Sequence, residues 1–131
     1  MTNEKKKILL VDDEEIHLEI SRNMLEDLYE ITTCKSGKGA IEHLLKGNVP
    51  SLILLDILMP NMDGWETFNR LRSISFLKDV PIAFFTSLQE EEQEKHAYLI
   101  GASDFIKKPC HQEDLVQRIE AIIEKQQKRH A

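Results

Sequence analysis

Residues 51–66 read SLILLDILMPNMDGWE. Four apolar residues, Leu52–Leu55, stand unbroken between Ser51 and the carboxylate of Asp56. The run is too short for a helix and does not alternate. That is the pattern of a strand covered on both faces, as in a parallel sheet. After Asp56 come the turn formers Pro60, Asn61 and Asp63-Gly64. Then Trp65, Phe68, Leu71 and Ile74 recur at helical spacing.

The same unit repeats outward in both directions. Lys7–Asp12 (KILLVD) is a second apolar run closed by carboxylates, and Val80–Ser87 (VPIAFFTS) a third, closed by hydroxyls. Tyr29–Cys34 (YEITTC) and Ala102–Lys107 (ASDFIK) are weaker strand candidates. Helical stripes lie between them: Ile16, Ile20 and Met24; Ala40, Ile41, Leu44 and Leu45, stopped by Gly47 and Pro50; and Leu115, Val116, Ile119, Ile122 and Ile123. Gln89–Tyr98 is unusually polar, with Ala97, Tyr98 and Ile100 as late anchors, and reads as a helix held weakly to the body. Five strand–helix units predict an α/β fold, a parallel sheet with five helices on its two faces.

Composition sets the bounds. With 131 residues, 41% of them apolar, one domain over 1–131 is expected, its core at about 7–125 and polar ends at 1–6 and 126–131. A net charge of −6 and the absence of a basic stripe argue against direct nucleic-acid binding and against an anionic membrane surface. No apolar run nears the ~20 residues of a membrane span, and the polar start has no signal-peptide pattern. Two cysteines, Cys34 and Cys110, make no disulfide framework. A cytoplasmic location is the expectation.

In an open parallel sheet, sites form beyond the carboxyl ends of the strands. The residues there are Asp12-Asp13 with Glu14-Glu15, Asp56, Thr86-Ser87, and Lys107-Lys108-Pro109. Clustered carboxylates repel unless a cation joins them. Mg²⁺, or another divalent cation in its place, takes a few carboxylate oxygens and keeps positions open for a phosphate. A carboxylate can also be a nucleophile and form an acyl phosphate, while cation, ammonium and hydroxyl stabilise the phosphoryl group in flight. Asp56, alone after an apolar strand, reads as the nucleophile, and Asp12 and Asp13 as metal holders.

With ILLVDDE, LILLDILMPNMDGWE, PIAFFTS and GASDFIKKP in order, the chain resembles the receiver domain of two-component response regulators, the chemotaxis-regulator-like domain. The resemblance implies a flavodoxin-like three-layer α/β/α sandwich with strand order 2-1-3-4-5. It implies Asp56 as phosphoacceptor, and Asp12, Asp13, Asp56 and the backbone carbonyl of Leu58 as metal ligands. Thr86 becomes the switch hydroxyl, Lys108 the phosphate-pairing lysine before a cis Lys108-Pro109 bond, and Phe105 the switch aromatic. Lys107, facing the other way, is then solvated. Apolar Leu58 and Leu88 stand where the family controls water access to the acyl phosphate, which predicts slow self-dephosphorylation.

The implied function is a phosphoprotein switch. A histidine kinase or histidine phosphotransfer domain supplies the phosphoryl group. The chain catalyses its own modification, and the surface of the fourth helix, fifth strand and fifth helix then signals to a downstream protein or fused output domain. The alternative is an interaction domain of the same fold that works without phosphorylation; loss of an acceptor, acidic or lysine position would mark it, and all are present. A flavin protein would want a Ser/Thr/Gly-rich loop where VDDEE stands. The remaining features read as structural: Met59, Met62 and Trp65 as packing, Cys34 and Cys110 as half-buried, and His17, His43, His96, His111 and His130 as surface residues. Glu90–Glu92 and Glu94 read as a solvated face or an acidic docking surface.

Overall fold

A computed structural model describes residues 4–129; His130 and the outermost parts of the two polar ends lie outside them. The strands are β1 (Lys7–Val11), β2 (Glu30–Cys34), β3 (Leu52–Leu55), β4 (Ile82–Thr86) and β5 (Asp104–Lys107). The helices are α1 (Glu15–Leu25), α2 (Gly37–Leu45), α3 (Gly64–Arg72), α4 (Glu91–Leu99) and α5 (Gln112–Arg129), with a 3₁₀ turn at Ser75–Leu77. All neighbouring strands are parallel, in the order β2-β1-β3-β4-β5. This is the three-layer flavodoxin-like arrangement that the motifs imply.

The unbroken apolar runs now have their cause. Alternate residues of one strand enter two different cores. Leu9, Val11, Ile53, Leu55, Ile82, Phe84 and Phe105 pack with Ala40, Leu44, Phe68, Leu71 and Ala97 of α2, α3 and α4. Ile8, Leu10, Leu52, Leu54, Ala83, Phe85 and Ile106 pack with Leu18, Leu25, Leu115, Ile119 and Ile123 of α1 and α5. Each large side chain so buried contributes roughly 1.5–3 kcal/mol. Side chains start two helices: Ser36 accepts from Gly39 N at 2.9 Å, and Asp63 from Glu66 N at 2.9 Å.

One helical face differs from the sequence reading. α1 buries Leu18, Ser21 and Leu25, while Ile16 is 66% and Ile20 50% exposed and Met24 is half-buried. At 3.6 residues per turn the two stripes point roughly 130° apart. Ser21 interrupts the apolar pattern of that stripe in the sequence, yet it is buried with Leu18 and Leu25. Leu45 of α2 is also exposed rather than packed. α4 meets the expectation of weak attachment: Ala97 is its one buried residue, and Tyr98, expected as an anchor, is largely exposed with its hydroxyl donating to Asp104 Oδ1 at 3.0 Å.

Candidate functional site

The register of β1 against β3 sets the site. Val11 pairs with Leu55, and Asp56 N donates to Val11 O at 2.9 Å, so Asp12 and Asp56 leave the sheet side by side. Across the sheet, Thr86 pairs with Lys107, and Lys108 N donates to Thr86 O at 2.8 Å. The Lys108-Pro109 peptide is cis. The Lys108 side chain, 13% exposed, passes near the Phe85 ring, with Nζ 5.0 Å from its centroid. Its ammonium donates to Asp12 Oδ2 and lies 3.7 Å from Asp56 Oδ2. Lys107 points away, to Glu94 at 3.4 Å.

Both carboxylates are oriented by the backbone. Asp56 Oδ1 accepts from Ile57 N at 2.7 Å, and Asp12 Oδ1 from Glu14 N at 2.9 Å. Asp56 is only 6% exposed, and burial pushes its carboxyl above the ordinary carboxylate range. The Lys108 ammonium opposes that shift, the Asp12 charge adds to it, and the Thr86 hydroxyl and Ile57 N–H oppose it. α3 begins directly behind Asp56: a Cβ on Gly64 would stand 2.3 Å from the Asp56 carbonyl oxygen and 2.6 Å from Ile57 Cα. Only a glycine permits that approach.

The structure brings Asp12, Asp56 and Lys108 into contact. Thr86 is fully buried, its hydroxyl accepting from Leu88 N at 3.3 Å. Phe105 is buried among the residues under α4. Leu58 projects outward and lines a groove with Ile57, Met59 and Leu88. Asp13 is half-exposed, and its carboxylate does not join the tightest donor group among the described residues.

That group is Asp12, Asp56 and His17, whose ligand atoms lie within 4.8 Å of one another. His17 departs from the surface role that the sequence suggests. Its Nδ1 is buried, 3.4 Å from Asp12 Oδ2, and its Nε2 is 3.1 Å from Glu14 Oε2. His17 follows Asp12 by five residues, in the first turn of α1, but that spacing alone does not turn its ring toward Asp56. Two buried carboxylates facing one ammonium are oxygen donors short of positive charge, which fits a hard divalent cation.

The family model described as the response regulator receiver domain matches residues 8–120. The transcriptional regulatory protein CrdR of Helicobacter pylori is 38% identical over 116 residues, 88% of this chain and 54% of its own length. The response regulator SaeR of Staphylococcus aureus is 32% identical over 124 residues, 94% of this chain and 53% of its own. The chain spans about half the length of the curated relatives it matches. The chemotaxis protein CheY4 of Vibrio cholerae superposes with a TM-score of 0.83 at 28% identity, covering 90% of this chain and 98% of that one.

Proposed function

The chain belongs to the receiver domains of response regulators, and on that premise we propose that it is a phosphorylation-controlled switch whose acceptor is Asp56. The observation that carries this reading is the Lys108 ammonium set between the buried carboxylates of Asp12 and Asp56. An oxygen of Asp56 attacks the phosphorus of a phosphohistidine on a histidine kinase or phosphotransfer domain. The P–N bond breaks, its electron pair returns to the imidazole nitrogen, and that nitrogen takes up a proton. The product is an acyl phosphate on Asp56.

The residues divide the work. The Ile57 N–H fixes Asp56 Oδ1, leaving Oδ2 toward Lys108 and the cleft. Lys108 supplies a buried positive charge for the phosphoryl oxygens, and Thr86 a hydroxyl donor. Asp12, Asp56, Asp13 and the Leu58 carbonyl are the candidate holders of Mg²⁺ or another divalent cation. When bound, such a cation neutralises the negative charge of the phosphoryl group in transit. Beside the cleft, Ile20, Met24, Pro109 and Cys110 line an apolar groove that also contains Lys108, suited to receive the phosphodonor.

The switch follows from how lightly α4 is held. A phosphoryl group draws the Thr86 hydroxyl toward it, vacating space beside Phe105. Because Ala97 alone is buried from α4, that helix repacks at low cost, and the α4–β5–α5 surface changes for a downstream protein or fused output domain. The test is incubation with Mg²⁺ and acetyl phosphate, read by intact mass. One phosphate added to the wild type and none to Asp56→Asn is the expected result. Equal phosphorylation of both would overturn the assignment.

A further inference from the structure

We propose that His17 is a nitrogen ligand for the divalent cation held by Asp12 and Asp56, and that it biases this site toward borderline transition cations over Mg²⁺. The inference rests on the metal-assisted reading above and deepens it. Sequence motifs place only oxygen donors at the site; the imidazole enters through the fold.

Three observations meet at this residue. The first is spacing. His17 Nδ1 and Asp12 Oδ2 are 3.4 Å apart, and the oxygen of Asp56 completes a triangle no larger than 4.8 Å on a side. Donors about 2.1 Å from one tetrahedral cation are themselves about 3.4 Å apart, so the His17–Asp12 edge already has that length. The second is the unsatisfied atom. Nδ1 is buried and has no hydrogen-bond partner among the described residues, which is costly for a polar group. The third is the other ring nitrogen. Nε2 faces Glu14 Oε2 at 3.1 Å. With a cation on Nδ1, the proton of the ring sits on Nε2, where Glu14 is placed to accept it. Metal-binding histidines are commonly oriented in this way by a carboxylate on the far nitrogen.

A mixed set of one imidazole and two carboxylates differs from an all-oxygen site in what it selects. Mg²⁺ gains little from nitrogen, whereas cations such as Co²⁺, Ni²⁺ and Zn²⁺ bind imidazole well. The Lys108 ammonium between Asp12 and Asp56 marks where positive charge is already accommodated.

The experiment titrates the metal-free protein with Co²⁺ and with Mg²⁺ by calorimetry and records proton NMR of the Co²⁺ form. Wild type is compared with His17→Leu and His17→Asn. The expected result is a Co²⁺-to-Mg²⁺ affinity ratio at least tenfold lower in both variants, with loss of a hyperfine-shifted imidazole N–H resonance. A ratio and spectrum unchanged by both substitutions overturn the inference; a plain ion pair between His17 and Asp12 gives that outcome. If wild type takes phosphate from acetyl phosphate with Mg²⁺ while the ratio is unchanged, the phosphoacceptor reading stands and the His17 inference alone falls. If wild type binds neither cation, both fall.

Discussion

Replacing Asp56 by Asn is expected to stabilise the protein at neutral pH by about 1–3 kcal/mol. The magnitude follows from three opposed effects. Attraction between Asp56 and Lys108 at 3.7 Å is worth about 4.5 kcal/mol at an effective dielectric of about 20. Repulsion from Asp12, whose nearest donor oxygen lies within 4.8 Å, is at least about 3.5 kcal/mol on the same scale. These nearly cancel. What remains is the desolvation of a carboxylate that is 6% exposed, a cost of several kcal/mol. Asparagine removes the charge yet keeps the oxygen that accepts from Ile57 N, and Lys108 keeps Asp12. The net sign agrees with the raised carboxyl of Asp56, in which burial is the largest cause.

The pH dependence carries the sign. A carboxyl raised in the folded state makes the folded protein bind the proton more tightly than the unfolded chain does. Its contribution is most favourable below the unfolded value, near 3.8, and is lost as pH rises through the folded value. The advantage of Asp56→Asn is therefore greatest above the raised folded value and shrinks as the solution is acidified toward 3.8. Urea unfolding at pH 7, 6 and 5 measures it, and melting at pH 7 should rise by about 4 °C for each kcal/mol. A variant equal to or less stable than wild type at pH 7, or an advantage that grows on acidification, refutes the reasoning.

Other outcomes follow from the same geometry. Gly64→Ala forces a methyl group onto the backbone of Asp56 and Ile57, so urea unfolding should register a loss of about 2–3 kcal/mol and acetyl phosphate should label Asp56 more slowly. Leu18→Ala is expected to cost about 2–4 kcal/mol, whereas Ile20→Ala, on the exposed stripe of the same helix, should stay within about 0.5 kcal/mol. Comparable losses for the two would contradict the observed face of α1. Leu58 and Leu88 line one groove with Ile57 and Met59, at the positions where the family controls water access, so the purified phosphoprotein should persist well beyond seconds without a phosphatase. A half-life of only seconds, read by loss of phosphate from the intact mass, would remove that role.

Periodicity located the three central strands well, because β1 beyond Lys7, β3, and β4 up to Thr86 are buried on both sides and apolar throughout. It failed on α1. Two apolar stripes run along that helix, and local spacing does not say which one meets the sheet; the polar Ser21 within the buried stripe made the wrong one look cleaner. Tyr98 failed as an anchor for a related reason: Ala97 is the residue that α4 buries, and the larger ring stays exposed with its hydroxyl bonded to Asp104.

Read by itself, the chain determined which residues are candidates for the chemistry: an acid pair after one apolar run, a lone acid after another, a hydroxyl and a lysine after two more. These are local facts, set by which residue follows a strand that must be apolar. Tertiary structure decided their partners. The pairing of Val11 with Leu55 sets Asp12 against Asp56, and the bond from Lys108 N to Thr86 O turns Lys108 inward while Lys107 goes to Glu94. It also brought His17 to the acidic pair and left Asp13 at the edge. Such contacts depend on strand register and on how α1 packs against β2 and α5, and no spacing along the chain encodes either, because both arise from packing between separate segments.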